Sequence, residues 1–258
     1  MQAKKLGVVL VLTIALALAA TPALAHFGMI IPQRNLVEKS DPKTVGLSYL
    51  FWHPMENQGL ELGRPVEAGY LLNGRKHDLL PALKAAKKGG VTTWAGSLAV
   101  KEPGDYILYL TPPAYWEPAE DKWIIHYTKT VVSALGLMEG WDQPVGQKIE
   151  IIPLTRPYGL WAGNSFSGRV VFKGQPLANA EVEVEFYNPD GKKKAPGEAY
   201  VAQVVKTDAQ GQFTWTLPWP GWWGFAALAE DDQKMAKDGQ DKAVEVGGVI
   251  WVYAHPVK

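Results

Sequence analysis

The sequence contains no cysteine, and this absence excludes disulfides, thiolate metal sites and a cysteine nucleophile. Helical periodicity is scarce and is confined to residues 77–88, where Pro81 can occupy a first helical turn. The sequence also lacks a Gly-x-Ser-x-Gly elbow, a His-Glu-x-x-His pair and a phosphate-cradling Gly-rich loop. We therefore do not expect an enzyme.

An excess of charge is also missing, since 26 basic residues balance 26 acidic residues. A nucleic-acid-binding protein or an anionic-membrane binder usually carries a basic patch. We expect no nucleic acid partner and no stable membrane insertion of the mature chain.

The first residues have the pattern of a secretory signal peptide. Lys4 and Lys5 precede an uncharged apolar stretch over 6–20, and residues 23–25 (Ala-Leu-Ala) form a cleavage site. The stretch is shorter than the roughly 20 residues that span a bilayer. We predict cleavage after Ala25, so that residues 1–25 are lost and a periplasmic protein begins with His26.

The rest of the chain alternates β-rich runs with Gly, Pro and Asn turns, which predicts an all-β fold. Predicted strands lie at 66–72, 92–100, 104–110, 123–132, 148–153, 165–172, 180–187, 202–206, 212–217, 221–228 and 248–253. Pro, Gly and Asn cluster in residues 153–164. We expect two immunoglobulin-like β-sandwich domains, 26–153 and 154–258, with one short helix in the first. The strings 174–180 and 207–211 resemble sandwich domains of the carboxypeptidase-regulatory type.

Three histidines carry the chemistry that the sequence suggests. A chain that begins with His26 can chelate a divalent metal through its α-amine and its imidazole together. His53 follows an aromatic run, and His126 follows an acidic loop. Each has an ordinary alternative: His26 can simply follow a cleavage site, and the other two can be packed among aromatic rings. Nitrogen-rich sites suit nickel, copper and zinc.

Carboxylates complete this candidate site. Glu117 and Glu56 are predicted as oxygen ligands, or as hydrogen-bond partners of a ligating imidazole. All five candidate residues (His26, His53, His126, Glu117 and Glu56) precede residue 153. We therefore assign the metal site to the first domain.

Eight motifs extend across nearly the whole mature chain: AHFG (25–28), WHPME (52–56), YWEPAED (115–121), IHYTK (125–129), GWD (140–142), PLTRPYGL (153–160), AGN (162–164) and GWWGFA (221–226). In these motifs the sequence resembles the periplasmic component family of energy-coupling-factor-type nickel and cobalt uptake transporters. The resemblance implies that the protein captures nickel or cobalt ion, or delivers it to an inner-membrane transporter.

Two rival interpretations stay open at this stage. Copper-dependent polysaccharide monooxygenases also begin with His and add a second His and commonly an axial Tyr, so a copper protein is one alternative. A carbohydrate-binding adhesin is the other, with some of the 11 Trp side chains as sugar platforms.

Overall fold

A computed structural model of the protein describes residues 26–257. The predicted signal peptide over 1–25 lies outside these residues. In the described part of the chain, no helix is long and apolar enough to cross a membrane.

Residues 26–257 form 22 strands. The first twelve are β1 (Phe27–Pro32), β2 (Leu36–Val37), β3 (Thr44–His53), β4 (Gln58–Leu60), β5 (Glu67–Leu72), β6 (Arg75–Asp78), β7 (Lys84–Lys88), β8 (Val91–Ala99), β9 (Gly104–Thr111), β10 (Tyr115–Glu117), β11 (Lys122–Ala134) and β12 (Ile149–Pro153). The other ten are β13 (Leu160–Trp161), β14 (Ser165–Phe172), β15 (Gln175–Pro176), β16 (Glu181–Phe186), β17 (Gln203–Lys206), β18 (Gln212–Thr216), β19 (Gly221–Glu230), β20 (Met235–Lys237), β21 (Gln240–Lys242) and β22 (Val244–His255).

These strands confirm the predicted all-β sandwich class. The helix predicted over 77–88 is wrong except for one turn of 3-10 helix at Leu80–Ala82. Gly89 and Gly90 both have positive φ and turn the chain back. Residues 84–88 therefore pair with β8 as an edge strand of a hairpin.

One large sheet organises the fold. Its strands follow the order β17-β16-β19-β22-β11-β9-β5-β6, with β10 and β2 on β11 and β13 on β22. A sheet of β1, β3, β8, β7 and β4 covers one face, and a sheet of β12, β14, β15 and β18 covers the opposite face at the other end. Each of these two sheets packs on the large sheet around its own hydrophobic core. Tyr49 and Tyr106 lie in the first core, and Phe166 and Phe225 lie in the second.

A third core joins the two halves of the chain. Phe27 and Trp52 of the first half pack with Ala226 and Trp251 of the second. In the large sheet, β22 lies between β19 and β11 and pairs with β11 in parallel. The predicted boundary at 153–164 therefore separates two halves that share a sheet and a core.

Candidate metal centre

Two of the candidate histidines meet where the β1–β3 ladder ends. Phe27 at the start of β1 pairs with Trp52 of β3 in antiparallel register. One step further along, His26 and His53 face each other, as opposed residues on neighbouring strands do. Their ring centroids are 4.6 Å apart, and both side chains are buried. The strand register thus brings together two histidines that are distant in sequence.

Glu117 reaches this pair from β10, which is antiparallel to the start of β11. Its Oε2 lies 3.0 Å from Nε2 of His26. Its Oε1 accepts the backbone N–H of Ala119 at 2.9 Å. The turn after β10 therefore orients a buried carboxylate toward the first imidazole.

His126 approaches from β11, opposite Gly247 of β22. Glycine is required there because a Cβ would lie 2.5 Å from Cδ2 of His126. The imidazole is 3 % exposed, and within residues 26–257 neither ring nitrogen has a hydrogen-bond partner. A buried polar group without a partner destabilises a fold by about 1–3 kcal/mol, so such a residue calls for a functional explanation.

Aromatic rings connect His26 to His126. The Phe51 ring stacks against His26 at 5.6 Å and meets the His126 ring edge-on at 6.2 Å. The Tyr115 ring lies 5.6 Å from His26 and 5.1 Å from Phe51. Phe51 thus contacts both His26 and His126, and Tyr115 packs against His26 and Phe51.

A cavity opens beside this cluster. His126 lines it, and its other walls are largely apolar: Phe51, Leu62, Pro112, Pro113 and Tyr115. The cavity therefore reaches the buried imidazole between β3 and the loop before β10.

Burial controls the protonation of the cluster. Desolvation lowers the pKa of His26 from 6.5 to about 4, and nearby His53 acts in the same direction, while Glu117 and Glu120 oppose it. Desolvation lowers the pKa of His126 to about 3, with smaller contributions from His26 and Lys122. Both imidazoles are therefore neutral at pH 7, which is the form that binds metal ions.

Sequence reasoning missed two neighbours of the site, Glu120 and Tyr115. The Glu120 charge acts on His26, and its Oε2 lies 2.5 Å from Nζ of Lys122, which also contacts Glu245 at 2.6 Å. The only available signal was their position beside Glu117 in the 115–121 motif, and adjacency along a chain does not show which way a side chain points.

The remaining candidates lie elsewhere. Glu56 is exposed on the turn after β3, and its electrostatic neighbour is Glu185. His77 is half-buried and stacks on Tyr70 at 4.5 Å in the β5–β6 hairpin. His255 lies beside Tyr253 near the end of the chain.

The cluster contains imidazole and carboxylate groups, which are the donors of a metal site, but these groups do not yet surround one position. Among residues 26–257, no group of three His, Asp or Glu side chains is already assembled around one metal position. Three imidazoles and one carboxylate fit borderline divalent ions such as Ni²⁺, Co²⁺, Cu²⁺ and Zn²⁺. Closing the site requires a change of side-chain rotamer or an additional donor.

A family model described as "Domain of unknown function (DUF4198)" matches residues 23–231 of this chain. The chain belongs to this family. The DUF4198 match includes His26, His53, Glu117 and His126. No curated protein matches the sequence.

Three solved structures match the chain at low identity. The D0-D1 domain of intimin is 11% identical with a TM-score of 0.25, covering 87% of this chain and 99% of that chain. The fibronectin(III)-like modules of Clostridium thermocellum CbhA are 12% identical (TM-score 0.23, coverage 88% and 95%). The Yersinia pseudotuberculosis adhesin InvE is 13% identical (TM-score 0.24, coverage 86% and 58%). TM-scores this low do not indicate a shared function.

Proposed function

We propose that this protein binds nickel or cobalt ion in the periplasm, and captures the ion or delivers it to an inner-membrane uptake transporter. The observation that carries the proposal is His126, a buried imidazole that lines a cavity and leaves both ring nitrogens unpartnered within residues 26–257. The Phe51 ring contacts both His26 and His126. His53 and Glu117 each contact His26. A divalent ion would use the ring lone pair of neutral His126, which has no hydrogen-bond partner within residues 26–257.

Glu117 determines which nitrogen of His26 can bind the ion. Neutral His26 donates its Nε2–H to the Glu117 carboxylate, so the lone pair of the ring is on Nδ1. The free α-amine of a processed chain and Nδ1 can close a six-membered chelate ring with one ion. A carboxylate that holds the far N–H of a ligating imidazole also raises its basicity.

The choice among nickel, cobalt and copper would depend on ligand chemistry and on the supply of each ion. Nitrogen ligands favour copper over nickel and cobalt in intrinsic affinity, so selection of nickel or cobalt would depend on availability and delivery. The resemblance to nickel and cobalt uptake components favours these two ions.

A copper protein is the second candidate. The Tyr115 ring lies 5.6 Å from the His26 ring, which adds an aromatic hydroxyl to the two histidines expected of an N-terminal-His copper site. Copper-dependent oxidation of a polysaccharide by the processed protein would favour this candidate over nickel transport.

The test is calorimetric titration of exported, processed protein with Ni²⁺, Co²⁺, Cu²⁺ and Zn²⁺. We expect His53→Gln and His126→Gln each to weaken Ni²⁺ binding at least about tenfold, since each removes a ligand. His77→Gln is the matched control, because His77 stacks on Tyr70 outside the cluster. Equal Ni²⁺ affinity in all four proteins would contradict the proposal.

The amine is tested separately by adding Met and Ala ahead of His26. This extension converts the amine into a peptide nitrogen and keeps every imidazole. We expect it to weaken Ni²⁺ binding, and unchanged affinity would show that the amine is not a ligand.

A further inference from the structure

A second cavity lies against β16 and shares no lining residue with the first. Its floor is formed by four side chains of the second core: Met55, Val184, Phe186 and Trp223. The Trp223 and Phe186 side chains are nearly completely buried. The floor therefore offers a ligand an apolar surface that is already rigid.

One wall of this cavity is the indole of Trp219. Its ring lies 5.2 Å from Trp223 and 5.7 Å from Phe186. Within residues 26–257 its buried Nε1–H has no acceptor, whereas Nε1–H of Trp223 donates to the Trp219 carbonyl at 3.0 Å. A buried donor without a partner is unfavourable, so an acceptor supplied by a ligand would stabilise this wall.

The rim carries two lysines, Lys193 and Lys194. Nζ of Lys193 lies 5.3 Å from the centre of the Trp219 ring. In the described chain, the ion pair of this loop uses Lys192, which contacts Asp190 at 2.8 Å, and leaves the other two lysines without a carboxylate. Two uncompensated positive charges therefore border an apolar cavity.

The loop that presents these lysines is held in place by Asn188. Its side chain accepts the Lys193 N–H at 3.1 Å and donates to the Lys193 carbonyl at 3.0 Å. The same amide donates to the carbonyl of Met55 at 2.9 Å. The rim and the floor are thus joined by one buried side chain, and the cavity is formed before any ligand arrives.

We propose that this cavity binds a small organic anion, a carboxylate attached to a flat apolar or aromatic body. The body would pack on Trp219 and the apolar floor, and the carboxylate would lie near the lysines and accept the indole N–H. An inorganic anion would leave the floor unfilled, and an organic cation would be repelled by the lysines.

The probe is phenylacetate, titrated into the full processed protein and followed by calorimetry and tryptophan fluorescence. Phenethylamine, benzyl alcohol and inorganic phosphate are the cationic, neutral and inorganic comparisons. We expect phenylacetate to bind and the other three to bind at least about tenfold more weakly. Absence of phenylacetate binding, or equal binding of phenethylamine, would overturn the proposal.

Two variants locate the binding. In the double variant Lys193→Ala/Lys194→Ala we expect about tenfold weaker phenylacetate binding, and in Trp219→Phe a loss of threefold or more, because one removes the charge and the other the N–H donor. Lys192→Ala is the matched control from the same loop and should bind as the unmodified protein does. Affinity that is unchanged in the double variant, or reduced equally in Lys192→Ala, would place the anion elsewhere. The thermal unfolding of each variant establishes that it is folded.

Discussion

Nε2 of His26 lies 3.0 Å from Oε2 of Glu117. The contact orients the imidazole of the residue that becomes the N-terminus when cleavage follows Ala25. In the proposed metal site, the contact leaves the other ring nitrogen, Nδ1, for the ion. We therefore propose that Glu117 orients a ligand, while Glu56, the other carboxylate predicted from the sequence, is exposed on a turn.

Replacement of Glu117 tests this assignment. We expect Glu117→Gln to weaken Ni²⁺ binding about 10- to 100-fold, because the amide orients His26 less well and does not raise its basicity. Glu56→Gln serves as the paired control and should leave the affinity unchanged. Competition with a chelator of known nickel affinity measures both. An unchanged affinity in Glu117→Gln, or an equal loss in the two variants, would remove Glu117 from the site.

We expect His126 to contribute to metal binding and to lower the stability of the metal-free fold. We expect His126→Leu to bind Ni²⁺ more weakly and, without metal, to be more stable by about 1 kcal/mol, since the leucine buries no unpaired nitrogen. For a chain of this size the gain corresponds to a rise of about 2–4 °C in the unfolding temperature. Calorimetric unfolding of the metal-free proteins checks it. Clear destabilisation by leucine would mean that the imidazole has a structural role.

The pH dependence of stability gives an independent test. The pKa of His126 is about 3 in the folded protein and near 6.5 in the unfolded chain. As the pH falls below 6.5, the unfolded chain takes up a proton that the folded protein does not, so stability is lost down to about pH 3. Glu183 acts oppositely, because burial raises its pKa to about 7 and its contribution grows as the pH falls below 7.

The comparison with His126→Leu separates the pH dependence that is due to His126 from the pH dependence that is due to Glu183. We expect the stability advantage of the leucine variant to increase between pH 7.5 and pH 4.5, at up to about 1.4 kcal/mol per pH unit. Urea unfolding of the metal-free proteins at pH 7.5, 5.5 and 4.5 measures the difference. A difference that stays constant with pH would contradict the buried, neutral imidazole.

A fragment of residues 26–153 tests how independent the two halves are. The sequence alone predicts that this fragment binds metal by itself. The shared sheet leads to the opposite expectation, because β11 loses its partner β22 and His126 loses the neighbouring Gly247. We expect the fragment to lack a cooperative unfolding transition and to bind Ni²⁺ at least about tenfold more weakly than the full chain. Cooperative unfolding with full affinity would support an autonomous first domain.

The strands that follow local patterns were predictable. β14 extends from Ser165 to Phe172, as predicted, and β16 begins one residue later and ends one residue earlier than predicted. Alternation of apolar and polar residues, with a turn at each end, defines such strands locally. β1 and β3 were missed: β1 is buried along nearly its whole length and does not alternate, whereas β3 does alternate over residues 44–49.

The sequence predicts which residue types form the candidate site. It does not predict how these residues come together in space. The sequence predicts His26, His53, His126 and Glu117 as ligands or partners, and the strand pairings bring His26 together with His53 and Glu117. That outcome depends on the β1–β3 register and on the β10–β11 hairpin, which are long-range pairings that no local pattern encodes. The closeness of Glu120 to His26, and the exposure of Glu56, depend on turn geometry in the same way.

Anomalous X-ray scattering at the nickel edge, from crystals of exported and processed protein grown with Ni²⁺, locates the ion in the molecule. We expect one principal anomalous peak bounded by His26, His53 and His126, with Glu117 contacting the ring of His26. A principal peak elsewhere, or no peak at this cluster in crystals that contain nickel, would contradict the proposed site.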